Sequence, residues 1–296
     1  MKKLFDYSLV YLLIIVYLFF TVPNVKSQLH KSDTIKIATW NIQLLPELYS
    51  PVSKLLRKKQ KIRSPKIIQY LNASKFDVVV LQEVFDKKRA KEFVSNLSIT
   101  YPYILKPIKN GRSIKLSSGL MILSKYPFEL VKHEIFNVSK KSDRWAQKGC
   151  SLIKIKINQK SILIAGLHLD SKSEVSRNLQ YKLVNEKIIK PYISDSVPFF
   201  LAGDFNTDVK SKDYQQMLRL FKLNNFKLKD DRPYTFDEYN SWNPKGYKSW
   251  IDFILYNKTK KAKVIDQYIL RPKMQHEKSS IDLSDHYQIV LEAIVL

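Results

Sequence analysis

Apolar segments of this chain repeatedly run out into a carboxylate, an amide or an imidazole. Thr39-Trp40-Asn41, Leu81-Gln82-Glu83, Leu167-His168-Leu169-Asp170, Gly203-Asp204-Phe205-Asn206 and Ser284-Asp285-His286 all have this form. A further carboxylate, Asp252, lies inside the run Trp250-Ile251-Asp252-Phe253-Ile254-Leu255, where an ionised group is costly unless something pairs with it. Singly, each has an ordinary explanation: Asn41 and Asp204 could serve turns, Glu83 could face solvent, and a lone histidine is commonly structural. Together they mark strand ends, which in a layered sheet converge on one rim where a site can be assembled. Asp204 and Asn206 are two residues apart, so extended backbone would point both to the same face, a carboxylate and an amide able to reach one phosphate or water.

The elements that must position these groups follow from hydrophobic patterning. Strands are expected at 35–39, 78–81, 120–124, 151–157, 161–167, 199–202, 251–256, 264–270 and 287–294. Helices are expected at 53–71, 87–97, 174–189 and 212–220, with Pro65 bending or splitting the first. Many strands with few helices and no long linker point to one domain of packed sheets flanked by helices, residues 28–296. The 296 residues, 45% of them hydrophobic, can bury a large core, which excludes a disordered tail. The 6 Gly and 12 Pro exclude collagen-like chains, and the single Cys150 excludes an intrachain disulfide.

A net charge of +24 favours a polyanionic partner, either nucleic acid or an anionic membrane surface, although a lysine-biased composition would produce the same number. The dense run Lys54, Arg57, Lys58, Lys59, Lys61, Arg63 and Lys66 is expected to be a solvated helix face. At the N-terminus, Lys2 and Lys3 precede an apolar stretch at residues 9–20 and then Val25-Lys26-Ser27. Residues 1–27 therefore read as a signal peptide cleaved before Gln28, which predicts a secreted protein, with an uncleaved membrane anchor as the alternative.

Trp40-Asn41-Ile42, Leu81-Gln82-Glu83-Val84, Gly203-Asp204-Phe205-Asn206, Trp250-Ile251-Asp252-Phe253 and Ser284-Asp285-His286 resemble, in order and spacing, the motifs of the endonuclease/exonuclease/phosphatase (DNase I-like) superfamily. The resemblance runs from about residue 35 to the end. It implies an α/β fold, a four-layer α/β/β/α sandwich, that cleaves phosphoester bonds with a divalent metal. Members of the superfamily cut DNA, RNA tails, phosphoinositides or sphingomyelin. The neutral sphingomyelinases are the most similar branch: the segment at residues 118–127, Asp143 followed five residues later by Lys148-Gly149, the His168 strand end with Arg177 and Gln180 after it, and Tyr234-Thr235-Phe236-Asp237 with Asn240 all resemble theirs. Two departures stand out. Leu167-His168-Leu169-Asp170 replaces the branch's usual Thr-His-Leu-Gln, and residues 271–283 lack the aromatic tip of the membrane-inserting hairpin of haemolytic members.

What the resemblance implies for the site is specific. Glu83 would hold a hard divalent ion, Mg²⁺ with Mn²⁺ or Co²⁺ as substitutes, supported by Asn41. His286 would be the general base that activates water, oriented by Asp252. Asp204 and Asn206 would position water and phosphate, and His168 would stabilise the transition state or protonate the leaving alkoxide. Asp285 would order the site, and Lys148, paired with Asp143, would act on the substrate side. The expected partner is a phospholipid membrane surface carrying sphingomyelin, and no obligate protein partner is implied. The alternatives are a secreted DNase-like nuclease acting on nucleic acid, another phospholipase C or a phosphoinositide phosphatase, and an inactive binding module on the same fold.

Overall fold

The computed structural model describes residues 33–46, 53–112 and 114–296, so the leader expected at residues 1–27 lies outside it, as do the side chains of Lys54, Arg57 and Lys58. The first strands are β1 (Thr34–Leu44), β2 (Val78–Val84), β3 (Tyr103–Leu105), β4 (Met121–Ser124), β5 (Phe128–Ile135), β6 (Gly149–Ile157), β7 (Lys160–His168) and β8 (Phe199–Asp204). They are followed by β9 (Asn224–Asn225), β10 (Phe236–Asp237), β11 (Lys248–Ser249), β12 (Asp252–Tyr256), β13 (Ala262–Leu270), β14 (Lys273–His276), β15 (Ser279–Asp282) and β16 (Gln288–Val295). The α-helices among the described residues are α1 (Ser53–Ala73), α2 (Lys87–Leu97), α3 (Glu174–Val184) and α4 (Lys212–Phe221).

Two six-stranded sheets carry the fold, one ordered β13-β16-β1-β2-β4-β3 and the other β5-β6-β7-β8-β12-β9. Alternation along each strand assigns its two faces. In the first sheet Trp40, Leu81 and Met121 pack outward against Ile67 and Leu71 of α1 and Phe93 and Leu97 of α2. The opposite faces, with Ile37, Val80 and Ile122, turn to the second sheet. The sheets approach so closely that a Cβ on Gly166 of β7 would lie 2.7 Å from Val80 Cγ1. Tyr181 and Val184 of α3 and Met217 and Phe221 of α4 join the core on the second sheet's outer side. The result is an α/β/β/α sandwich.

Strand direction decides where the polar ends fall. β1 and β2 are parallel with Asn41 opposite Gln82, so both leave the first sheet at one edge. β7 and β8 are parallel with His168 opposite Asp204, and antiparallel β12 starts with Asp252 opposite that same Asp204. Helix starts are fixed by side-chain caps: Asp86 accepts from Arg89 N–H, Ser173 from Ser176 N–H and Ser211 from Tyr214 N–H.

Several expectations need correction. α1 is not split at Pro65, its packing through Ile67 and Leu71 outweighing the lost hydrogen bond. The helix expected to end at 189 is α-helical only to Val184 and continues as a π-helical turn over Asn185–Ile189. β5 is not among the strands expected above: as an edge strand it lacks clean alternation, and charged Lys132 and Glu134 suit a solvent-facing ladder. Residues 271–283 do contain a hairpin, β14 with β15, but Met274 and Ile281 turn inward onto the core and leave a polar tip.

Candidate active site

At the end of the second sheet, β8 carries Asp204 after Gly203, where a Cβ would come 2.1 Å from Leu167 O of the neighbouring strand, so glycine is required by close approach. His286 arrives from the turn before β16. Its Nδ1 is 2.9 Å from Asp252 Oδ2, its Nε2 is 3.9 Å from Asp204 Oδ2, and the Phe236 ring packs against it at 5.1 Å. The costly carboxylate of the sequence thus has its partner, although Asp252 Oδ1 is left without a hydrogen bond. Burial disfavours the imidazolium, yet Asp252, Asp204 and Asp285 outweigh it and hold His286 well above its ordinary pKa. Asp204 is pushed up to about 6 by burial and the Asp252 charge, against the pull of His286, Lys148 and a hydrogen bond from Asn41.

Lys148 is buried beside these groups. Its ammonium donates to Asp143 Oδ2 (3.0 Å), Leu169 O (3.1 Å) and His168 Nε2 (3.0 Å). With Nε2 accepting, the His168 proton resides on Nδ1, which has no partner. Burial, Lys148 and His286 hold His168 well below its ordinary pKa, so the ring is neutral. Protonating a leaving group is therefore the role its surroundings oppose.

The first sheet contributes a different kind of edge. A register shift in β1 between Asn41 and Leu44 turns the strand at the rim, with Gln43 at φ 48° and Glu83 at φ 60°. Asn41 Nδ2 donates to Asp204 Oδ2 (3.1 Å), and its Oδ1 accepts from Gln43 N–H (3.1 Å), so both ends of the amide are engaged. Gln43 Nε2 donates to Asp285 Oδ2 (2.7 Å), and Ser284 Oγ to Asn41 O (2.7 Å). Among the described residues the Glu83 carboxylate has neither a hydrogen bond nor an ion pair, while its backbone carbonyl accepts from Phe85 N–H (2.8 Å). Burial and the charges of Asp285 and Asp204 push it up to about 7, with Lys148 and His286 opposing.

Two sets of atoms suit a cation. Asp204, Asp252 and His286 each offer a ligand atom, all within 4.8 Å of one another. Glu83 offers a partly buried carboxylate without a protein counter-charge in contact, flanked by two more carboxylates, which suits a hard oxygen-seeking ion.

Residues 38–286 match the Endonuclease/Exonuclease/phosphatase family. The chain belongs to that family. Among curated relatives, a Sphingomyelinase C from Leptospira interrogans is 25% identical over 286 residues, covering 86% of this chain and 51% of that protein, so the chain spans about half its length. A Phospholipase C from Staphylococcus aureus is 24% identical over 329 residues, covering 98% of this chain and 96% of that protein. A crystal structure of a Staphylococcus aureus beta toxin variant with bound magnesium ions shares the fold at a TM-score of 0.69 and 21% identity, covering 88% of this chain and 99% of that one. Within the family frame the rim residues Asn41, Glu83, His168, Asp204, Asp252, Asp285 and His286 gather at one end of the sandwich, with Asp143 and Lys148 at its flank.

Asn206 departs from the expected geometry. β8 ends at Asp204, and Asn206 sits at φ 48° with its amide donating to Leu169 O (3.1 Å), so strand alternation does not explain its direction. Asp170 is a loop anchor: its carboxylate accepts backbone N–H bonds from Lys140, Lys172 and Ser173 at 2.7–2.9 Å. Sequence reading missed Arg63, placed on a solvated face but buried, donating to Leu283 O (2.8 Å) and Gln43 O (2.9 Å). The signal was present, since Arg63 shares its helical face with Ile67 and Leu71 at spacings of four.

Proposed function

We propose that the chain is an exported, divalent-metal-dependent phosphodiesterase, a sphingomyelinase C that hydrolyses sphingomyelin to ceramide and phosphocholine, with residues 28–296 as its catalytic domain. The observation that carries the reading is the placement, across one rim, of a Glu83 carboxylate without a partner among the described residues and a His286–Asp252 hydrogen-bonded pair. The magnesium-bearing beta toxin and the names of the two curated relatives support the metal and the lipid branch. Asp143 and Lys148, in the spacing that resembles the sphingomyelinases, support it further.

Glu83, with Asn41 holding Asp204 beside it, would bind the ion, Mg²⁺ in this reading. When bound, the ion neutralises phosphate charge and stabilises the leaving oxygen, contributions of several kcal/mol in such sites. Asp252 fixes the His286 ring through Nδ1, which leaves Nε2 as the atom that takes a proton from the attacking water. Neutral imidazole is required for that step, so the combined pull of Asp252, Asp204 and Asp285 on His286 must be offset in the working enzyme. Asp204 and Asn206 orient water and phosphate, and Asp285, held by Gln43 and Ser284, orders the His286 turn. Lys148 places a buried cation beside His168, where phosphate charge would collect.

The test compares hydrolysis of sphingomyelin, phosphatidylcholine and plasmid DNA, with Mg²⁺ and with chelator. Phosphocholine release chiefly from sphingomyelin supports the reading. Cleavage of DNA without lipid hydrolysis would overturn it and give the weight to the +24 charge.

A further inference from the structure

We propose that the loop residues 106–112 and 114–117, with those at 137–147, form a docking surface for an anionic phospholipid membrane at the flank of the active site. This inference rests on the lipid-hydrolase reading above. The two loops are laced together: Leu116 bridges to Ala146, Leu116 N–H donates to Trp145 O (2.8 Å), and Asn110 and Gln147 exchange hydrogen bonds of 2.9 and 3.0 Å. From this paired platform Ile114 stands 81% exposed and Trp145 43% exposed. A single exposed apolar side chain needs no explanation, but two large ones put apolar surface on both halves of one joined platform.

The charge around the platform has one sign. Arg112, Lys140, Lys141 and Arg144 are exposed, and the only acidic residue in either segment, Asp143, is buried against Lys148. Arg144 lies over the Trp145 ring at 5.3 Å, so one residue pair presents both a cation and an amphipathic ring. Tryptophan prefers the headgroup level of a bilayer, and basic residues near an anionic leaflet each add attraction. Nucleic acid would be met by the charge alone and would leave Ile114 in water. The hairpin β14–β15 cannot supply an apolar contact of this kind, because Met274 and Ile281 face the core. The turn that presents Trp145 also carries Asp143, which places the surface beside the Lys148 side of the site.

The test is cosedimentation of the full chain with vesicles of phosphatidylcholine alone and of phosphatidylcholine mixed with phosphatidylglycerol. Arg112→Gln and the pair Lys140→Gln/Lys141→Gln should weaken binding to the anionic vesicles by about fivefold for each charge removed, an effect that salt erases. Ile114→Ser alone, and with Trp145→Ala, should weaken binding to both vesicles and lower turnover on vesicular lipid. Turnover on soluble bis(p-nitrophenyl) phosphate should be unchanged. Vesicle binding equal to the parent in the folded variants overturns the proposal, as does an effect of charge removal confined to duplex DNA. Vesicle binding by a chain that hydrolyses no phospholipid would instead sink the functional reading and leave this surface standing.

Discussion

On the sheet that ends in β7, β8 and β12, the buried charges meet partners: Lys148 holds Asp143 at 3.0 Å, and His286 holds Asp252 at 2.9 Å. On the sheet that ends in β1 and β2, the Glu83 carboxylate has no such partner among the described residues and is pushed up to about 7. The same rim therefore joins an edge whose charges are paired in contact to an edge whose buried cation, Arg63, is engaged by the Gln43 and Leu283 carbonyls and leaves the Glu83 carboxylate without a counter-charge in contact. Side chains that must orient a proton gain from fixed geometry. A carboxylate that must take up an ion has to keep its lone pairs free, and it raises the energy of the ion-free fold until the ion arrives.

The largest effects should come from removing what each edge supplies. Chelation should abolish hydrolysis and Mg²⁺ should restore it; turnover indifferent to chelator would remove the contrast altogether. His286→Ala should cost about two to four orders of magnitude in turnover, as expected for losing a general base. Near-normal rates in that protein would end the assignment of the base.

Stability gives a finer cut, because the two edges should respond with opposite sign. Glu83→Gln removes an unfavourable buried charge, so it should raise the melting temperature of the ion-free protein above about pH 7 while removing Mg²⁺-dependent activity. Asp252→Asn breaks a buried charged hydrogen bond and should lower stability by about 1–3 kcal/mol. Equal destabilisation by both would mean that Glu83 has a protein partner after all. The pH dependence follows from the same shifts. Glu83 and Asp204 have folded pKa values raised from 4.5 and 3.8 to about 7 and about 6. A raised value means the folded state binds the proton more tightly, so the stability these groups add is full below the unfolded values and is lost as pH rises through about 6 to 7. His286, held well above 6.5, loses its contribution in the same direction but at higher pH. An ion that replaces those protons should therefore stabilise the protein more at about pH 8 than at about pH 5. A scan of melting temperature with and without Mg²⁺ at both values measures it, and a pH-independent increment would place the ion elsewhere.

How much of this was legible in the sequence depends on the range of the forces involved. His168 and Asp204 do end β7 and β8, and they could be read because a polar residue at the end of an apolar run is a local signal; Asn41 and Glu83 instead lie within β1 and β2, and His286 precedes β16. The sandwich followed from the ordered motifs more than from periodicity, which indicated only packed sheets with helices. Pairings across long stretches of chain were invisible: Asp252 lies 34 residues from His286, and nothing near Glu83 in sequence says that it will be left without a partner. The left-handed backbone of Asn206, φ 48°, was equally hidden, since alternation assumes that the strand continues. Asp170 read as a departure beside a presumed catalytic histidine, and only three backbone N–H groups arriving from two loops make it an anchor.

Arg63 provides the smallest and most local test of the contrast. Its guanidinium is lowered in pKa by burial and supported by Asp285 and Glu83, and its two nitrogens clamp the Gln43 and Leu283 carbonyls on either side of the first sheet's edge. Trp242 covers it, with the guanidinium carbon 5.5 Å from the ring centre. Gln43 in turn holds Asp285, so the arginine sets the frame around Glu83 without touching the His286–Asp252 pair. Arg63→Met should remove about 2–4 kcal/mol of stability by leaving two carbonyls unpaired, with a larger loss in Mg²⁺ affinity than in turnover at saturating Mg²⁺. Arg63→Lys keeps the charge but not the fork, so it should recover the electrostatic part and not the geometric one. Mg²⁺ titrations of both variants separate these contributions; a fall in saturated turnover with unchanged Mg²⁺ affinity would show that the two edges are coupled through Arg63, and that the division between a self-organised edge and an ion-dependent one is too sharp.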